Sequence, residues 1–220
     1  MVSDKNSEYK FTGGNSLTGI HKLYHEVMML NELWNGYGAY EVSYAAGKSG
    51  ISFGGNQMDM HDNKKTAEKF TNILISATDN AGKHFFTQGE VKMIVGNEFV
   101  NLIQNGEVVL SMLGDNLASI NAALSSVYGR ARIDQLYVSE IKNGAEHIEK
   151  VIEKITNAAA KKFYDSDLGR VLLFDYHNQY DLKFDGRFLA DYINGKGKEN
   201  FSTKEMVVAP RDHSKYRAIC

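Results

Sequence analysis

Apolar residues recur at three- and four-residue spacing along most of the chain, and that period breaks between Tyr40 and Asp59. Before the break, Leu17, Ile20, Leu23, Tyr24, Val27, Met28, Leu30 and Trp34 predict a first helix. Ser16 is placed to cap it, and Asn35-Gly36 to end it. The glycines of Gly36-Tyr37-Gly38 either stop that helix or kink it on to Tyr40.

After the break, Asp59 to Asn63 can cap a second helix with Ala67, Phe70, Ile73, Leu74 and Ala77 facing inward, stopped by Asp79-Asn80-Ala81-Gly82. Thr87-Gln88-Gly89-Glu90 has the form of a capping box before a short helix through Val91, Ile94 and Val95. A further short helix is expected over Asn97 to Gln104, and Asn105-Gly106 is a turn signal. Glu107 to Met112 reads as a short strand or a buried helical turn; periodicity does not separate the two. Asp115 or Asn116 caps a helix over Leu117, Ile120, Ala123, Leu124 and Val127, closed by Gly129. The longest helical signal runs from Arg130 to Lys162, with Gly144 as a potential divide. Val171-Leu172-Leu173-Phe174 predicts a buried helix over Leu168 to Tyr176, and Phe188, Leu189, Tyr192 and Ile193 a last one. The fold class that follows is mainly α with a small β-hairpin. Residues 1–15 read as a flexible N-terminal arm, 16–195 as one domain, and 196–220 as a polar C-terminal tail.

Composition narrows the classes. Of 220 residues, 43% are hydrophobic and 24% charged, the balance of an ordinary globular protein. A net charge of −2 gives no electrostatic case for nucleic acid or an anionic membrane. Cys220 is the one cysteine, so an internal disulfide is excluded. No apolar leader opens the chain, and no run is long and apolar enough to span a membrane. These features suit a protein made in the cytoplasm.

The chemistry concentrates in the break. Gly47, Gly50, Gly54 and Gly55 fall close together, and glycine is costly unless the backbone needs it. Gly47-Lys48-Ser49-Gly50 reads as a hairpin turn and Ile51-Ser52-Phe53 as a short strand. Glu41 stands at the start, and Ser49, Ser52, Asn56 and Gln57 follow. An acid ahead of a polar, glycine-rich hairpin supplies a proton donor, room for a bulky polymer, and hydrogen bonds to hydroxyl and amide groups. Tyr37, Tyr40, Tyr44 and Phe53 offer the acid an apolar wall, which raises a carboxyl's affinity for its proton.

Tyr40-Glu41 followed by Gly47-Lys48-Ser49-Gly50-Ile51-Ser52-Phe53-Gly54-Gly55-Asn56-Gln57-Met58-Asp59 resembles the catalytic segment of the lysozyme-like superfamily, above all its phage- and effector-type muramidases. Asp175-Tyr176-His177-Asn178-Gln179-Tyr180 resembles a C-terminal motif of the same group. The resemblance implies a lysozyme-like fold and an enzyme that cleaves the glycan strands of peptidoglycan. In it Glu41 is the general acid, Ser52 orients water and Gln57 lines the cleft. Asp59 is the nearest second carboxylate in sequence, and it reads equally as a helix cap. Ser49, Phe53, Gln57, His177, Asn178 and Gln179 are the substrate-binding candidates, the last three also readable as local capping.

No cofactor or metal is expected. His21 and His25 share a helix face, but no third ligand accompanies them. Gly47-Lys48-Ser49 lacks the upstream glycine of a phosphate loop, and Ser49 and Ser52 lack the strand–elbow–helix setting of a hydrolase nucleophile. The partner implied is the wall polymer, reached after release by a holin or secretion machine, with a delivery machinery or immunity protein as further partners. The other readings are a binding or interaction module on a degenerate scaffold, a lytic transglycosylase, and a chitosanase-type enzyme.

Overall fold

The stretch where the helical period breaks folds, in the computed structural model, into a three-stranded antiparallel sheet of order β1-β2-β3. Its strands are β1 (Ser43–Tyr44), β2 (Ile51–Phe53) and β3 (Met58–Asp59). Around it the chain is helical: α1 (Gly19–Glu32), α2 (Lys64–Ser76), α3 (Gln88–Ile94), α4 (Asn116–Ser125), α5 (Val127–Glu153), α6 (Ala158–Tyr164) and α7 (Asp167–Tyr180). The protein is thus mostly α with a small antiparallel sheet. The structure describes residues 9–33, 36–44, 51–60, 64–94, 114, 116–180 and 182. The expected Gly47–Gly50 turn, the elements expected over 97–112, the last helix and the tail lie outside them, as do Trp34 and Asp115. Among the described residues, no helix is long and apolar enough to cross a membrane.

Contacts group the chain into two compact units, residues 1–16 with 28–138, and residues 17–27 with 139–220. In the first unit, Ile51 and Phe53 alternate with Ser52 along β2, so two apolar side chains share one sheet face. The Phe53 ring lies 5.2 Å from that of Phe70 on α2. Phe70, Ile73 and Leu74 of α2, Val91 of α3, Ile120 and Leu124 of α4, and Ile133 and Tyr137 of α5 complete this core. The capping box forms as expected: the Thr87 amide donates to Glu90 Oε2 at 2.7 Å, and the Glu90 amide to Thr87 Oγ1 at 3.3 Å. Asp79 stops the chain after α2 by accepting the amides of Ala81 (2.8 Å) and Lys83 (2.9 Å) on one oxygen.

The arm expected over 1–15 is described from Tyr9 on, and there it is tied down. Phe11 is buried, its amide bonds the Gly36 carbonyl at 2.8 Å, and its ring meets Tyr137 edge-on at 4.9 Å. Thr12 to Asn15 closes a turn of its own. α1 starts at Gly19, whose φ of +56° bars a helix running into it from Leu17, rather than directly after Ser16. Leu30, assigned inward by the spacing, is 61% exposed.

In the second unit, Tyr24 of α1 stacks on Phe174 of α7, centroids 4.1 Å apart and planes 7° from parallel. Gly144 does not divide α5. A Cβ there would lie 2.7 Å from the Phe174 ring, so the glycine lets that ring rest on the helix backbone. The long helical signal breaks instead after Glu153, and Asn157 restarts it by capping Ala160 at 2.9 Å.

Candidate active site

Glu41 follows a tight turn in which Gly38 takes φ of +90° and the Glu41 amide reaches the Gly38 carbonyl at 3.4 Å. Its side chain is partly buried. The Ala39 carbonyl accepts the Gly54 amide at 3.0 Å, which ties the approach to Glu41 to the end of β2. The Val42 amide donates to Asn121 Oδ1 on α4 at 3.0 Å. Tyr40, 1% exposed, donates its phenol proton to Asp134 Oδ1 on α5 at 2.7 Å. The Thr12 amide donates to the Tyr40 oxygen at 3.1 Å, and Thr12 Oγ1 to Asp134 Oδ2 at 2.9 Å. Burial, opposed by Thr12 and reinforced by Asp134, holds the Tyr40 phenol above its ordinary pKa, so it stays a donor.

The sheet then sets out the polar groups. Ser43 pairs with Ser52, and Ser52 with Asp59. Residues opposite one another share a face. Ser43, Ser52 and Asp59 therefore form one polar row across all three strands, starting two residues beyond Glu41. Asp59 belongs to β3, with the alternation Met58-Asp59-Met60 placing both methionines inward.

Gln57 closes the β2–β3 turn with φ of +48°, the one described non-glycine residue in the left-handed region. A left-handed backbone costs a residue with a Cβ about 1–2 kcal/mol. It persists where the surroundings fix it. Here Gln57 Nε2 donates to the Gly54 carbonyl at 3.0 Å, and Gln57 Oε1 accepts from Ser43 Oγ. Ser43 Oγ also reaches the Ser52 carbonyl at 3.3 Å.

Ser52 in the middle of the row is different. It is 1% exposed, and its Oγ has no hydrogen-bond partner among the described residues. A buried hydroxyl left unpaired costs about 1–3 kcal/mol. The Asn56 carbonyl oxygen in the adjoining turn is buried and unpaired likewise. Two unmet polar atoms in one small hairpin are a concentration that folding alone does not reward.

Glu41, Ser52, Gln57 and Asp59 are thus carried on one unit by one sheet and its flanking turns. Phe53 is in the same strand but fully buried against Phe70, so its ring anchors the sheet in the core. Ser49 lies outside the described residues. His177, Asn178 and Gln179 belong to the second unit, in the last turns of α7. There His177 stacks on His147 at 4.3 Å, and both rings hold Leu182: its amide donates to His177 Nδ1 at 3.1 Å, and its carbonyl lies 2.7 Å from His147 Nε2. Among the described residues, no three His, Cys, Asp or Glu side chains gather as a metal site.

Sequence reasoning missed Ser43, Asn121, Asp134 and Thr12. Ser43 was open to detection, since alternation places it on the face of Glu41. The other three act over 79, 94 and 28 residues of separation from their partners, which no local pattern reports. The glycines also divide by role. Gly54, at φ of +86°, serves the turn. A Cβ on Gly55 would lie 2.3 Å from Phe11 Cζ and 2.9 Å from Tyr137, so Gly55 makes room for the N-terminal segment.

No protein-family model, curated protein or solved structure matches this chain.

Proposed function

We propose that the protein is a glycoside hydrolase that cleaves the glycan strands of bacterial peptidoglycan, with Glu41 as general acid. The observation that carries this reading is the buried, unpaired Ser52 hydroxyl, held in register between Ser43 and Asp59 just beyond Glu41. A hydroxyl so placed has the hydrogen-bonding capacity to fix one water molecule. The resemblance of the Tyr40–Asp59 segment to muramidases supplies the choice of polymer.

The spacing bears on the chemistry. β1 and β3 are two strand intervals apart, about 9.6 Å at the usual sheet spacing, and Glu41 stands two residues before Ser43. A pair of carboxyl groups working with a water between them needs about 6.5–9.5 Å, so the Glu41 and Asp59 side chains must lean toward one another to act on one bond. Glu41 donates its proton to the glycosidic oxygen as the bond to the anomeric carbon breaks. The water on Ser52 attacks that carbon from the opposite face and gives its proton to Asp59. The product is a reducing sugar of inverted configuration, and Asp59 returns the proton through solvent.

The enclosure of Ser52 favours a second reading, in which its hydroxyl is a structural group and the unit binds glycan without cutting it. Release of reducing ends from purified peptidoglycan separates the two. An enzyme makes new ends, and a binding module makes none. Glu41→Gln reduces the release at least a hundredfold; full activity in that variant removes Glu41 from the mechanism.

A further inference from the structure

The structure assigns to Asn121 and Asp134 the positioning of Glu41, an inference that rests on the reading of Glu41 as the acid. The residues on either side of Glu41 are fastened by side chains from two different helices. On one side, Tyr40 donates to Asp134 of α5, and Thr12 closes the triangle by bonding both partners. The Tyr40 ring is enclosed, tilted against Phe11 at 5.7 Å, so it has little freedom to turn. On the other side, Asn121 of α4 holds the amide of Val42, which belongs to the peptide leaving Glu41. The Glu41 amide itself is held by Gly38. With the residue before and the peptide after both fixed, the direction of the Glu41 Cα–Cβ bond is fixed too.

The sheet ladder does not duplicate this. β1 begins only at Ser43, two residues later, so the sheet ladder does not reach Glu41. The Gly54 amide on the Ala39 carbonyl, at 3.0 Å, ties the start of the segment to β2. An acid must meet the leaving oxygen within hydrogen-bond reach, and a displacement of about 1 Å costs on the order of a hundredfold in rate. The chemistry of the fastener also matters. Asn121 presents a neutral acceptor one peptide bond from the acid. A carboxylate in its place would make the same bond while adding a negative charge that favours the protonated form of Glu41.

Four variants test this: Asn121→Ala, Asn121→Asp, Tyr40→Phe and Glu41→Gln. Each is measured for kcat and KM against pH on solubilised peptidoglycan strands, and the Glu41 carboxyl is titrated by carbon-detected NMR in the first three and the wild type. Asn121→Ala and Tyr40→Phe are expected to lower kcat about ten- to a hundredfold with KM within about twofold. Asn121→Asp is expected to recover part of the kcat, and to raise both the Glu41 titration midpoint and the pH at which activity fades. A residue that only stabilised the fold would leave kcat of the folded Asn121→Ala protein unchanged. Wild-type kcat in Asn121→Ala and Tyr40→Phe, with Glu41→Gln inactive, overturns the positioning role and leaves the acid in place. Full activity in Glu41→Gln overturns both. If no substrate is cut at all, the mobility of the Glu41 carboxyl decides: carbon relaxation unchanged in Asn121→Ala refutes the inference, and increased side-chain mobility supports it.

Discussion

Replacing Ser52 by alanine should make the protein more stable and less active. The hydroxyl is 1% exposed with no partner among the described residues, so folding removes it from water without return. Such a group costs about 1–3 kcal/mol, and Ser52→Ala removes the cost while leaving the Cβ and the strand pairing intact. The adjoining Ser43 provides the contrast on the same sheet face. Its Oγ donates toward Gln57 Oε1 and the Ser52 carbonyl, so Ser43→Ala gives up real bonds and should lose about 1 kcal/mol. Two serines directly opposite one another therefore carry opposite signs. Urea unfolding of both variants reads this as shifts in midpoint at unchanged slope. In a thermal melt, 1 kcal/mol corresponds to about 2–4 °C for a chain of this size. Under the proposed mechanism a water reaches the Ser52 hydroxyl only with glycan bound, so Ser52→Ala also loses most of its turnover. A loss of 1 kcal/mol or more in Ser52→Ala would refute the reasoning, because it would mean that the hydroxyl is bonded in the folded protein.

Gly55→Ala should destabilise by about 1–3 kcal/mol by pushing chiefly on the Phe11 ring, and the penalty should shrink in a Phe11→Ala background, where only the Tyr137 contact remains; an equal penalty in both would separate Gly55 from the N-terminal segment. Two bonds from Thr87 hold the Glu90 carboxyl below its ordinary pKa, so its contribution to stability is full above the unfolded carboxylate range and is lost as pH falls through the folded value. The gap in melting temperature between wild type and Glu90→Ala should accordingly close on acidification, and a gap that widens would contradict the capping bond. His177 accepts the Leu182 amide at Nδ1, so protonation there turns the acceptor into a donor and should release that amide. Hydrogen exchange followed against pH should show protection of Leu182 falling on acidification ahead of the α7 amides, and a constant protection factor would refute it.

How much of this was legible depended on the range of the interaction. The inward stripe of α2, the Thr87–Glu90 box and the buried face of α7 depend on neighbours within four residues, and the spacing reported them. The mainly α class with its small sheet followed from the same pattern. The strand at Met58–Asp59 was hidden because two residues give too short an alternation and because Asp59 also suits a cap. The break after Glu153 rather than at Gly144 turned on Phe174, which packs on the glycine from thirty residues away. At the candidate site, Glu41 and the strand at Ile51–Phe53 stood out in the sequence. The register that sets Asp59 opposite Ser52 did not, because it is fixed by the β2–β3 turn and the left-handed Gln57.

The most direct test of Glu41 as the acid that cleaves glycan strands is digestion of purified peptidoglycan by wild-type and Glu41→Gln protein, with the products identified by mass spectrometry. Fragments ending in a reducing sugar are expected from the wild type and not from the variant. Anhydro-sugar ends would contradict the water-based mechanism, free peptides would contradict the site, and identical products from both proteins would contradict the role of Glu41.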